Sequence, residues 1–103
     1  MIVHSINDLN LHDSELLEVV IKLDEVTLRL DYIEDYETMR CANRELVFRG
    51  CSETAVKMNP GYASPDSILG GNESPHDLGR KVRIEMNTTA AIIEIVAREI
   101  ELV

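Results

Sequence analysis

The sequence has no tryptophan, a single phenylalanine (Phe48) and an aromatic share of only 4%. Its core must therefore be built from valine, isoleucine and leucine, within an apolar fraction of 45% that suits a folded globular protein. Cationic side chains are scarce as well. Ten Lys and Arg stand against 19 Asp and Glu, a net charge of -9. That balance argues against nucleic-acid and anionic-membrane partners, since both need basic patches. There are two cysteines, Cys41 and Cys51. They form no Cys-x-x-Cys pair, and two thiols alone make no zinc site, so neither a metal nor a cofactor is expected. No segment approaches the roughly 20 apolar residues that span a bilayer. Met1-Ile2-Val3-His4 lacks the basic start and apolar run of a secretory leader. The expectation is a cytoplasmic protein with reduced thiols. A glycine-rich phosphate loop is also missing, because Gly70-Gly71 stands alone.

What is present fits one domain over residues 1–103. Charge is unevenly spread. Residues 1–38 hold ten acids (Asp8, Asp13, Glu15, Glu18, Asp24, Glu25, Asp31, Glu34, Asp35, Glu37) against Lys22 and Arg29, a balance of -8. The remaining nine acids and eight bases give -1. The first third is expected to carry an acidic surface, which serves solubility or faces a basic partner.

Alternation of apolar and polar residues dominates the pattern. Leu17, Val19, Ile21 and Leu23 would share one strand face with Glu18 and Lys22 on the other; a helical stripe of Leu16, Leu17, Val20 and Ile21 is the alternative. β-Branched content favours the strand. Asp24-Glu25 makes a tight connection, and Val26, Leu28 and Leu30 form the clearest strand in the chain. Ile33 to Tyr36 is the next bend. Residues 37–58 read as one or two further strands interrupted at Gly50. Val82, Ile84 and Met86 alternate again, and Asn87-Thr88-Thr89 turns the chain. In the last segment Ile93, Ile95 and Ala97 share a parity that Ile100 and Leu102 break, so a bulge is expected near Ala97-Arg98.

Residues 59–80 differ in kind, holding all three prolines and four of the five glycines. Ser64-Pro65-Asp66 and Ser74-Pro75-His76-Asp77 each resemble a capped helical turn, stopped by Gly70 and Gly79. A long loop with two short helical turns is expected, with Leu69 and Leu78 docked on the core and polar tips available for a site. The predicted fold is all-β: one antiparallel domain of about five or six strands, as a small barrel or strongly bent sheet. Closure, or a homodimer through the C-terminal strand, would hide an otherwise sticky edge.

His12-Asp13-Ser14 is the one place where a nucleophile, a base and a carboxylate adjoin. A Ser-His-Asp relay needs the imidazole between the other two groups, which three consecutive residues cannot arrange unaided. A turn held by Asn10, Asp13 and Ser14 is therefore favoured. The dipeptide recurs at His76-Asp77, so a loop folded back on the turn would gather two imidazoles and two carboxylates. No ligand pair shows metal-site spacing, however. Cys51 follows a bend and is read as a buried, inert thiol.

Leu11-His12-Asp13-Ser14 ahead of two alternating strands, with Leu46-Val47-Phe48-Arg49-Gly50-Cys51 later, resembles a set of small bacterial proteins. These share a Leu-His-Asp-Ser opening and a Leu-x-Phe-x-Gly step, and some are predicted immunity proteins that neutralise toxins. The resemblance covers roughly the first half of the chain and implies a β fold without a reaction. Two functions are carried forward. One is a non-enzymatic, immunity-like binding protein with an acidic face for a basic protein. The other is a small hydrolase or metal-dependent enzyme built on His12, Asp13, Ser14 and His76.

Overall fold

A computed structural model describes residues 1–57, 66–88 and 91–103. Eight antiparallel strands follow a short 3-10 turn at Ile6–Asp8: β1 (Glu15–Ile21), β2 (Glu25–Asp35), β3 (Arg40–Arg49), β4 (Glu53–Lys57), β5 (Asp66–His76), β6 (Gly79–Met86), β7 (Ile92–Ala97) and β8 (Glu99–Leu102). They form one sheet in the order β4-β7-β6-β5-β1-β2-β3-β8, open at β4 and β8. The fold is thus all-β, as the alternation predicts. The strand count and the barrel are corrected: among the described residues there are eight strands rather than five or six, and the sheet they form is open.

The sheet has two halves of four strands, joined where Glu15 and Leu16 of β1 pair with Ser67 and Asp66 of β5. Both halves turn their apolar faces to one core. Leu28, Leu30, Leu46, Phe48, Ile100 and Leu102 enter from one half, and Ile68, Val82, Ile84, Ile93 and Ile95 from the other. The chain returns between the halves at Arg98, the single residue between β7 and β8, whose amide donates to Arg49 O at 3.0 Å. The parity break falls at this residue, but it is a crossing between two strands of different halves and not the β-bulge within one strand expected there. It lets Ile95 and Ile100 both reach the core although they sit in different halves.

Residues 1–9 are part of the core. Val3, Ile6 and Leu9 are buried, and Arg80 donates to both Val3 O and His4 O at 2.8 Å. The backbone of Met1 and Val3 bonds to Leu102 and Ile100 of β8. The C-terminal edge offered for a homodimer is therefore already hydrogen-bonded to the chain's own first residues.

Several local expectations are corrected. In β1 a bulge between Leu16 and Glu18 turns Leu17 out of the expected inward face, while Val19 of that face packs against the core. Leu16 is buried, whereas Leu17, Ile21 and Leu23 are exposed. β2 runs through the supposed bend at Ile33 and reaches Asp35 before turning at 36–39, where Met39 takes φ 54°. The largest correction concerns 59–80. Its described part is a strand and a tight turn, so the helical turn at Ser74-Pro75 does not form. The turn expected at Ser64-Pro65 begins outside the described residues, and its described remainder, 66–70, is strand. Only Ile68 docks on the core, while Leu69 and Leu78 are exposed. Proline is tolerated in β5 because Pro75 lies beyond the two-residue pairing with β1, on the side of the strand that needs no ladder donor. Gly79 closes the β5–β6 turn at φ 137°, and a Cβ there would overlap the Ala97 carbonyl oxygen. Among the described residues no helix is long and apolar enough to cross a membrane.

Candidate functional site

The His12-Asp13-Ser14 stretch forms the turn that enters β1. Asp13 takes φ 69°, a left-handed conformation that Asp tolerates better than most residues. Ser14 is fully buried. Its hydroxyl donates to Asn10 O at 2.6 Å and accepts from Ile33 N at 3.0 Å. Asn10 in turn donates through Nδ2 to Ile33 O at 2.9 Å, and its backbone amide donates to the Tyr32 hydroxyl at 2.8 Å. The Ser14 oxygen thus ties the turn to β2 and has neither a free lone pair directed at solvent nor an imidazole partner.

His12 points elsewhere. Its Nδ1 lies 2.7 Å from Leu69 O, an acceptor, so Nδ1 carries the proton; Nε2 lies 3.5 Å from Asp13 Oδ2. Tyr36 donates to His12 O at 2.7 Å, and burial followed by the Asp13 charge pushes its phenol upward. His76 sits at the far end of β5, where its Nδ1 accepts the Leu78 amide at 3.1 Å beside exposed Asp77. The two His-Asp dipeptides share no contact, and among the described residues no three His, Cys, Asp or Glu groups stand together as metal ligands. The arrangement is a turn cap on one side and a hairpin end on the other. Cys51 is half-buried, its thiol is raised by desolvation, and Sγ donates to Phe48 O at 3.3 Å. Cys41 is exposed.

The outer surfaces of the two halves differ more than any local motif. Cross-strand register places Glu15, Asp31 and Asn43 in one row on the outside of β1-β2-β3-β8. Glu18, Arg29 and Glu45 form the next row, Thr27, Val47 and Glu101 another, and Glu25, Arg49 and Glu99 the last. Among the described residues these rows hold seven carboxylates against two guanidiniums, with Lys22 beside Glu25 at the end of the β1-β2 ladder. Arg29 is held by Glu18 at 2.9 Å. Arg49 spans Glu101 at 2.6 Å and Glu25 and Glu99 at 4.0 Å each. The Arg49 hydrogen bond is the main cause holding the Glu101 carboxyl below its ordinary value. Glu15 and Asp31 face one another, and among the described residues neither forms an ion pair, a like-charge pairing that destabilises a sheet.

The outside of β4-β7-β6 is balanced by contrast. Glu53, Glu85 and Glu94 meet Lys57, Lys81 and Arg83 there. Lys81 pairs with Glu94 at 3.3 Å, and Arg83 with Glu85 at 3.0 Å. The acidic surface expected of the first third therefore exists in part, but it is assembled by strand pairing. Glu45, Glu99 and Glu101 belong to it although they lie far along the chain. Their outward parity in alternating segments was the available signal, and only the register shows which strands stand side by side. No family model and no curated protein sequence matches the chain.

Proposed function

We propose that this protein is a non-enzymatic binding module whose acidic β1-β2-β3-β8 face docks a basic protein, in the manner of a small immunity protein. One observation carries the reading: among the described residues one outer face has paired rows with seven carboxylates against two guanidiniums and Lys22 beside Glu25, whereas the other has three carboxylates against two lysines and one arginine. Solubility alone would be served by acids on both faces. Concentrating them on one leaves like charges opposed at Glu15 and Asp31, a cost that a cationic partner relieves. A one-sided field also steers a basic partner and speeds its association at low salt.

The test is capture of partners from source cells by three proteins. These are the wild type, a triple variant neutralising the acidic face (Glu15→Gln, Asp31→Asn, Glu45→Gln), and a triple variant of the other face (Glu53→Gln, Glu85→Gln, Glu94→Gln). A basic protein should be retained by the wild type and the second triple, released by salt, and lost with the first triple. Capture that ignores both the salt and the first triple overturns the reading, as does the absence of any captured protein.

A further inference from the structure

The two ends of the sheet differ. At β8 the chain's own first residues add a further rung: Ile2 bridges Glu101, and the backbone of Met1 and Val3 bonds to Leu102 and Ile100. At β4 the one strand partner among the described residues is β7. That pairing runs from Glu53 opposite Val96 to Lys57 opposite Ile92 without a register shift. Four of the five residues of β4 are exposed, and neither a bulge nor a proline within the strand blunts its outer edge.

The strand reads Glu53-Thr54-Ala55-Val56-Lys57. Turned antiparallel about Ala55, it matches itself. Glu53 then faces Lys57 of the second copy, Thr54 faces Val56, and the two small Ala55 side chains meet on the axis. Among the described residues neither Glu53 nor Lys57 forms an ion pair within the chain, whereas the charges behind them are engaged, Lys81 with Glu94 at 3.3 Å and Arg83 with Glu85 at 3.0 Å. Those outer charges continue the match. Lys81 stands behind Glu53 across Val96, and Glu85 behind Lys57 across Ile92, so the signs alternate along the whole row from one copy to the next. A parallel neighbour would set Glu53 beside Glu53, and a two-residue slip would set Glu53 or Lys57 against Ala55. From this self-complementarity we infer that β4 is a dimer edge, joining two copies of the chain antiparallel about Ala55 into one continuous sheet. Five paired residues bury little surface, so the dimer is weak and forms at concentrations on the order of 0.1 mM. The inference does not rest on the acidic-face reading, since β4 borders the balanced face and the acidic rows lie on the other half.

The experiment is sedimentation velocity with amide NMR over a dilution series reaching about 1 mM, at low salt. The samples are the wild type, Glu53→Lys, Lys57→Glu, and an equimolar mixture of the two variants; both positions are exposed, and a thermal scan checks that each variant folds. The wild type should dimerise, with the dilution shifts centred on 53–57. Each variant alone places two like-charge pairs in the joint and should associate about tenfold more weakly. Mixing the variants restores opposite charges at both ends and should recover the wild-type association. A wild type that stays monomeric at the highest concentration overturns the inference. So does a dimer that both charge reversals leave intact, a mixture that associates no better than its components, or dilution shifts that fall on β8 in place of β4.

Discussion

Replacing Ser14 with alanine removes one oxygen from a fully buried junction and nothing else of consequence. The Ile33 amide, itself buried, loses its acceptor, and Asn10 O loses its donor. An orphaned buried amide costs about 1–3 kcal/mol and a lost hydrogen bond about 1 kcal/mol, so the variant should lose about 3 kcal/mol. With a melting entropy of roughly 2.1 cal/mol/K per residue, that loss lowers Tm by about 14 °C for a chain of this size. Urea denaturation and a thermal scan would measure both quantities. A cycle with Asn10→Ala sharpens the test. Asn10 and Ser14 act on the same Ile33 peptide neighbourhood, so the double variant should lose clearly less than the two single losses added together. A Ser14→Ala protein with unchanged stability would refute the reasoning and return the hydroxyl to the list of candidate nucleophiles.

Three further outcomes are expected. Gly79→Ala should be among the most damaging single changes, roughly 3 kcal/mol or more, because it combines a left-sided φ with overlap on the Ala97 carbonyl; chemical denaturation reads it directly. Cys41 should react with a thiol reagent well before Cys51 in the native protein, since burial pushes the Cys51 thiol up and its hydrogen bond occupies it; labelling followed by mass spectrometry separates the two sites. Glu101→Gln should flatten the acid limb of stability. Arg49 holds the native carboxyl below its ordinary value of 4.5, so the contribution is present above that pH and fades as pH falls through the lower native value, which a pH series of urea midpoints would show.

Much of the sheet was legible in the sequence, because a half-buried strand leaves a two-residue period. β2, β3 and β6 follow directly from Val26/Leu28/Leu30, Leu46/Phe48 and Val82/Ile84/Met86. The parity break at Ala97-Arg98 marked the place where the chain passes between the halves. Three features were hidden. The β1 bulge is invisible to a counting argument, so Leu17 was read inward beside Val19, whereas Leu16 is the residue buried at that end. β5 was concealed by Gly70, Gly71 and Pro75, residues that disfavour a strand paired on both sides but are compatible with one paired on a single side. The acidic face was half visible. Net charge located its first third, while Glu45, Glu99 and Glu101 join it through register, a long-range property that alternation alone does not supply. The His-Asp-Ser stretch was readable as a turn. The exact use of Ser14 on Ile33 was not, since nothing local to 10–14 specifies a partner in β2.

Carboxylate footprinting tests the central claim most directly. The protein would be labelled with a carbodiimide and an amine, free and within the complex captured from source cells, and modification read residue by residue. The account predicts protection of Glu15, Asp31, Glu45 and Glu99 in the complex, with Glu53, Glu85 and Glu94 labelled equally in both states. Protection on the β4-β7-β6 face with the four acidic-face residues unchanged would contradict it.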